Sequence, residues 1–191
     1  MHLLHDRYSR RKALSLLLAT SSLIVAGPLL LRHARAAETD DDELLKRFEF
    51  LSQNGNSNCS AAFLASIATM PAGAHLQGSC CAEMDAHRYV EQIKALRKFS
   101  YIAEIPDDPY DIRAEVAQKA LPFYELHLDT RETAIFDYAM ANSDERGPCC
   151  CECWRWHVYG GLGKFLIRER GFDGPQLMEV WNLSNGCGGS G

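Results

Sequence analysis

No cysteine occurs before position 59 in this 191-residue chain, so nothing near the N-terminus can carry a thioether-linked lipid anchor. No run alternates apolar and polar residues long enough to read as a strand, which leaves sheet architectures without support. Basic residues are scarce beyond the start. Six of the 20 Lys+Arg but one of the 25 Asp+Glu fall in residues 1–36, leaving 14 against 24 and a formal charge of −10 on the remaining 155. That balance argues against nucleic acid or an anionic membrane as partner and suits attraction of cations. No internal repeat is present, and only 185–191 is low in complexity.

Familiar catalytic signatures are missing too. Cys150-x-x-Cys153 is followed by Trp154 rather than histidine, which excludes a haem attachment site, and it lacks the βαβ setting of thioredoxin-like folds. Gly160-Gly161-Leu162-Gly163-Lys164 does not have the spacing of a phosphate loop. No serine–histidine–acid arrangement can be defended, so no catalytic residue is assigned.

What is present begins with Arg7, Arg10, Arg11 and Lys12. Nineteen uncharged residues, Ala13 to Leu31, follow, and then Arg32-His33-Ala34-Arg35-Ala36-Ala37. A basic stretch, an apolar stretch and a small-x-small site predict a secretory signal peptide over 1–36, cut before Ala37. Ser9-Arg10-Arg11-Lys12-Ala13-Leu14 is close to the twin-arginine pattern, with Ala13 where an aromatic is usual. The apolar run would span a bilayer if left uncut. Gly27, Pro28 and the Ala-x-Ala exit favour cleavage, so no stable membrane anchor is expected. The expected location is periplasmic or secreted, reached by twin-arginine translocation.

Residues 37–43 read as an acidic, flexible lead. Helical spacing then recurs at Leu44, Phe48 and Leu51; at Phe63, Ile67 and Met70; at Tyr89, Ile93 and Leu96; and at Ile112, Val116 and Ala120. It continues at Ile135 and Tyr138, at Val158, Leu162, Phe165 and Leu166, and at Leu177, Val180 and Trp181. One apolar stripe per segment predicts an all-α fold, a single domain of six or seven helices over 44–184 with a glycine-rich tail at 185–191. Pro122 ends one helix or opens the next.

All eight cysteines lie beyond the predicted signal: Cys59, Cys80, Cys81, Cys149, Cys150, Cys151, Cys153 and Cys187. An even count in an exported protein points to disulfides. The crowding points elsewhere, because adjacent cysteines close a strained ring and staple nothing distant. Thiols packed together suit a soft metal or thiol exchange. If Pro148–Trp154 is extended, Cys149, Cys151 and Cys153 face one side. If Pro148 opens a helix, Cys149, Cys153 and His157 share a face. Cys80-Cys81 is a second cluster. Met84, four residues after Cys80, reads as core packing, and Trp154 and Trp156, flanking the Cys149–Cys153 cluster, read as its walls.

Pro148-Cys149-Cys150-Cys151-Glu152-Cys153 resembles the signature of the exported bacterial PCYCGC-motif-containing (lipo)protein family, with Cys150 for the tyrosine and Glu152 for the glycine. The aromatic-bearing stretch Ala134–Ala141 upstream and Gly171-Phe172-Asp173-Gly174-Pro175 downstream extend the likeness over the last third of the chain. The family's downstream histidine and cysteines have only His157 and Cys187 as counterparts. The resemblance implies an exported, thiol-rich, metal-binding protein and supplies no reaction.

Three readings follow. The first is an exported binding protein holding Cu(I) or Zn(II) through Cys149, Cys151 and Cys153, with a further ligand from Cys80, Cys81 or His157, for storage, delivery or resistance. The second is a thiol–disulfide or metal-dependent redox enzyme cycling Cys150 and Cys153, or Cys80 and Cys81. The third is a disulfide-stapled domain without chemistry.

Overall fold

The structure is a computed structural model describing the backbone of residues 26–189 and side chains from residue 39 onward. The first 25 residues of the predicted signal segment lie outside the described residues. No helix among the described residues is long and apolar enough to cross a membrane. The chain divides into two compact units between Glu43 and Leu44, and the cysteine-bearing unit begins at Leu44.

Among the described residues seven helices run in order: α1 (Ala26–Asn54), α2 (Ala61–Ile67), α3 (Ala86–Leu96), α4 (Ala114–Ala120), α5 (Thr130–Asn142), α6 (Trp154–Arg170) and α7 (Gly174–Leu183). The expected helical fold is the observed one, with three corrections. Residues 37–43, expected to be loose, belong to α1, because no glycine or proline interrupts the chain between Pro28 and Gly55. Ile112 lies in a strand, not a helix: β1 (His75–Gln77) and β2 (Asp111–Arg113) pair antiparallel, with Leu76 opposite Ile112. Three residues are too few for alternation to register in a sequence. Tyr138, placed in an apolar stripe, is 44% exposed.

Helix starts follow local chemistry. Asp129 and Asp173 form capping boxes with Glu132 and Gln176, and Ser60 and Asp85 cap α2 and α3 with their side chains. Pro122 stands in the 3₁₀ turn Leu121–Glu125 that follows α4.

Helix α6 is the axis of the unit and is buried nearly all round, from Trp154 to Ile167. Its glycines, unfit for phosphate binding, are contact points. A Cβ at Gly161 would stand 2.2 Å from the Ala120 carbonyl oxygen, and one at Gly163 would stand 2.9 Å from the Trp181 ring. Trp181 in turn donates from Nε1 to the Tyr159 carbonyl at 3.0 Å. Three cysteines, Cys149, Cys153 and Cys187, are buried members of the same core. A smaller core joins Leu44, Leu51, Tyr89, Ile93 and Tyr110, with Met84 packed against it.

The ribbon fixes the loop that carries Cys80 and Cys81. Gly78, just after β1, has φ +77°, and a Cβ there would lie 2.7 Å from the Gly55 Cα. Alanine at this position meets both the left-handed backbone and the clash. Gly78→Ala is expected to lower the stability by about 1–3 kcal/mol. Urea denaturation of the reduced variant checks this; an unchanged midpoint would show that the turn relaxes freely.

Candidate metal centre

Four loops converge at one end of α6. The α1–α2 loop brings Cys59, the loop after β1 brings Cys80 and Cys81, the α5–α6 loop brings Cys149 to Cys153, and the segment after α7 brings Cys187. Residues 148–153 do not form a helix. The Cys153 N–H donates to the Cys151 carbonyl at 2.8 Å, and Cys153 becomes the N-cap of α6. That curl gathers Cys149, Cys151 and Cys153 within 4.8 Å of one another and turns Cys150 toward the same body of sulfur.

All eight thiols are free and contiguous. The Sγ–Sγ separations are 3.7 Å for Cys80–Cys81, 4.0 Å for Cys80–Cys153, 3.7 Å for Cys149–Cys153 and 3.6 Å for Cys81–Cys151. Cys150–Cys81 is 3.7 Å and Cys151–Cys59 is 3.6 Å. Two contacts are shorter, Cys59–Cys81 at 3.1 Å and Cys149–Cys187 at 2.7 Å. A tetrahedral ion with metal–sulfur bonds of about 2.3 Å has sulfur–sulfur edges of about 3.8 Å. Most contacts in the cluster match that edge, and the donor set fits a soft metal ion.

The tail is held in place, not loose. Cys81 and Ala82 donate their N–H groups to the Cys187 carbonyl at 3.2 and 2.9 Å, and Cys187 N–H donates to the Asn185 side chain at 3.1 Å. Asn185 is buried, its carbonyl accepting from Gln92 at 2.8 Å. Asn185 thus carries the tail into the core.

Arg155 is the other buried feature. It is 1% exposed, and its guanidinium donates to the carbonyls of Pro109 at 2.5 Å and Gly78 at 2.9 Å. Its Nε has no partner, and a Cβ at Gly186 would stand 2.3 Å from its Nη1. Two neutral carbonyls satisfy hydrogens but not a charge, and a buried cation needs an anion. Burial works against the charge, yet the sulfurs of Cys80, Cys187 and Cys149, with Tyr159, hold the Arg155 pKa above its ordinary value.

The thiols divide accordingly. Hydrogen bonds from Cys149 and then Cys153 bring Cys80 down to about 6, with Arg155 adding to the effect against burial. Hydrogen bonds from Cys149 and then Cys80 bring Cys187 down to about 5. Cys149 moves up because it is the donor to Cys153 and Cys187. Cys59 and Cys81 move up chiefly through desolvation.

His157 does not join the sulfurs. Its Nδ1 pairs with the Cys153 carbonyl at 3.0 Å, its ring packs on Tyr124 with centroids 4.5 Å apart, and among the described residues no group of ligand atoms includes it. Once the helix starts at Trp154, the first turn directs His157 toward Tyr124. Five residues named from sequence, Cys80, Cys81, Cys149, Cys151 and Cys153, do come together. Cys59 and Cys187 join them, the first unannounced and the second suggested only by the family resemblance, since a solitary cysteine has no spacing to read. Arg155 gives no signal in the sequence beyond its position two residues after the motif. No family model, curated protein or solved structure matches the chain.

Proposed function

We propose that this is an exported protein that binds a soft metal ion, Cu(I) or Zn(II), through its cysteine cluster, in storage, delivery or resistance. The observation that carries the reading is the continuous body of eight thiols at spacings that match the edges of a metal–thiolate polyhedron. Arg155 supports it against the disulfide reading. Four disulfides are neutral and would leave a fully buried guanidinium without an anion, whereas thiolates around a metal ion keep net negative charge beside it. A soluble ligand-binding role also agrees with the acidic balance of the chain beyond residue 36.

The test is elemental analysis of the reduced chain purified without oxygen, with free thiols counted on the same sample before and after unfolding. Stoichiometric metal, with thiols protected until a chelator is added, is the expected result and names the ion. Absence of metal after both Cu(I) and Zn(II) have been offered would overturn the reading.

A second reading rests on the two short contacts, Cys59–Cys81 and Cys149–Cys187. These pairs are the ones placed to oxidise to disulfides, which makes thiol–disulfide exchange the runner-up chemistry. Peptide mapping after mild oxidation distinguishes them: these two pairings favour the redox reading only if the metal-free protein also forms and breaks them reversibly.

A further inference from the structure

The eight sulfurs are not equivalent. Cys80, Cys149, Cys153 and Cys187 form an inner group, of which Cys149, Cys153 and Cys187 are 1%, 3% and 3% exposed. Cys59, Cys81, Cys150 and Cys151 form an outer group, in which Cys59, Cys81 and Cys150 are exposed. Four sulfurs close one tetrahedral site, so the donor set suffices twice. The chain splits its own neighbours between the two: Cys80 goes inward and Cys81 outward, while Cys149 and Cys153 flank an outward pair. The groups adjoin at Cys80–Cys81, 3.7 Å apart, and again where Cys151 lies within 4.8 Å of Cys149 and Cys153 and Cys150 within 4.8 Å of Cys149 and Cys187, so a thiolate of one can bridge to an ion of the other.

We propose that the centre holds at least two soft-metal ions of unequal lability, one retained by the inner group and one exchanged through the outer. This rests on the metal-binding reading above. Two features make the groups unequal. Arg155, 1% exposed, braces the inner side, its guanidinium donating to the carbonyl of Gly78, two residues before Cys80. Inner Cys187 is also pinned by the backbone hydrogen bonds of the tail, so reaching it requires that segment to open.

One outer cysteine, Cys81, lines a cleft of 710 Å³ together with Cys80, Glu83 and Met84. An incoming thiolate donor can there replace one outer ligand at a time without unfolding. Soft ions pass between thiol proteins by such ligand exchange, in which no electron moves. Each cysteine that takes the ion gives its proton to solvent, and each that loses it takes one back.

The experiment uses the full chain, reduced and handled without oxygen, titrated with Zn(II) and separately with Cu(I). Native mass spectrometry counts the ions, and an excess of chelator follows their release in time. At least two ions are expected, leaving in two phases whose rates differ by roughly tenfold or more. The variant Cys59→Ser/Cys81→Ser/Cys151→Ser, altered on the outer side, is expected to keep the slow phase and lose the fast one. Cys149→Ser/Cys187→Ser is expected to do the reverse.

One ion per chain, or several leaving in a single phase, overturns this inference and leaves the metal reading standing. Loss of the slow phase in the outer variant, with its helical circular dichroism intact, overturns it as well. No ion bound by the unaltered chain overturns both. The unaltered chain alone therefore decides the count and the phases, even if the inner variant fails to fold.

Discussion

Arg155→Met is expected to weaken soft-metal binding by 10- to 100-fold, roughly the cost of removing a partner that supports metal ligands from outside. Arg155 sits at 1% exposure with its hydrogens on two carbonyls, and the sulfurs whose ionised form offsets its charge are those of Cys80 and Cys187. Methionine keeps much of the length and removes the charge. The inner thiols then lose the cation that favours their ionised form, and a metal ion must displace protons held more tightly. In free energy the change is about 1.4–2.8 kcal/mol of metal affinity.

Lysine is not expected to restore binding. Its single ammonium cannot span both Gly78 and Pro109 as the planar guanidinium does, and the pocket is shaped to the fork, with Gly186 lacking a side chain where the Nη1 lies. Both variants also leave carbonyls unpaired, which costs about 1–3 kcal/mol per buried group and lowers the stability of the metal-free fold. That loss is measured separately, by urea denaturation in the presence of chelator. Competition against a chromophoric chelator reads the affinity. An affinity equal to that of the unaltered chain would show that Arg155 is a structural brace between two loops and has no electrostatic role at the centre.

The helices were legible because their signals are local: stripes at 3.6-residue spacing, glycine or proline stops and, at α2, α3, α5 and α7, an Asp or Ser cap. Asp129 with Glu132 and Asp173 with Gln176 are read within four residues of chain. The ribbon was not legible, because Leu76 meets Ile112 across 36 residues and each strand is too short to show a period. The centre divides in the same way. Cys149, Cys151 and Cys153 could be placed together because their spacing is local.

Cys59 and Cys187 stand 128 positions apart and reach the same body of sulfur only through the packing of α2, α6 and α7. His157 shows the converse error. Helical spacing put it on a face with Cys153, but the helix begins one residue after Cys153, and the Nδ1 turns back to that residue's carbonyl. Spacing inside a helix is informative only when the first residue of the helix is known, and here the crowded cysteines obscure it. The glycines of α6 lack the spacing of a phosphate-binding loop, and what requires them is not legible locally either: it is the carbonyl of Ala120 and the ring of Trp181, both supplied by other helices.

Without metal, the reduced protein is expected to be most stable near pH 9 and to lose stability on both sides. Cys80 and Cys187 have folded-state values of about 6 and about 5, below the ordinary thiol value of 9.0. Between those values and 9.0 the unfolded chain binds more protons than the folded one, so stability rises with pH across that window. Their contribution is complete above 9.0 and is lost as pH falls through 6 and then 5. Cys149, Cys59 and Cys81 are shifted the other way, the first through its hydrogen bonds to Cys153 and Cys187, the others chiefly through desolvation.

Above pH 9 these three ionise in the unfolded chain but stay protonated in the fold, so stability there falls as pH rises. The two opposing sets of thiols produce the maximum. Urea midpoints measured with reductant and chelator from pH 5 to 10.5 test it. A midpoint that is flat from pH 5 to 9 would mean that Cys80 and Cys187 are ordinary thiols, and the charge balance argued for Arg155 would fall with them. Added metal should change the shape in one direction only. Binding displaces the remaining thiol protons, so the bound state gains most where those protons are held most loosely, and the acid side of the curve steepens as protons compete for sulfur. Because the bound ion competes with protons for sulfur, its release is expected below the metal-free values of Cys80 and Cys187, and an acid titration followed by a chromophoric chelator would show it directly.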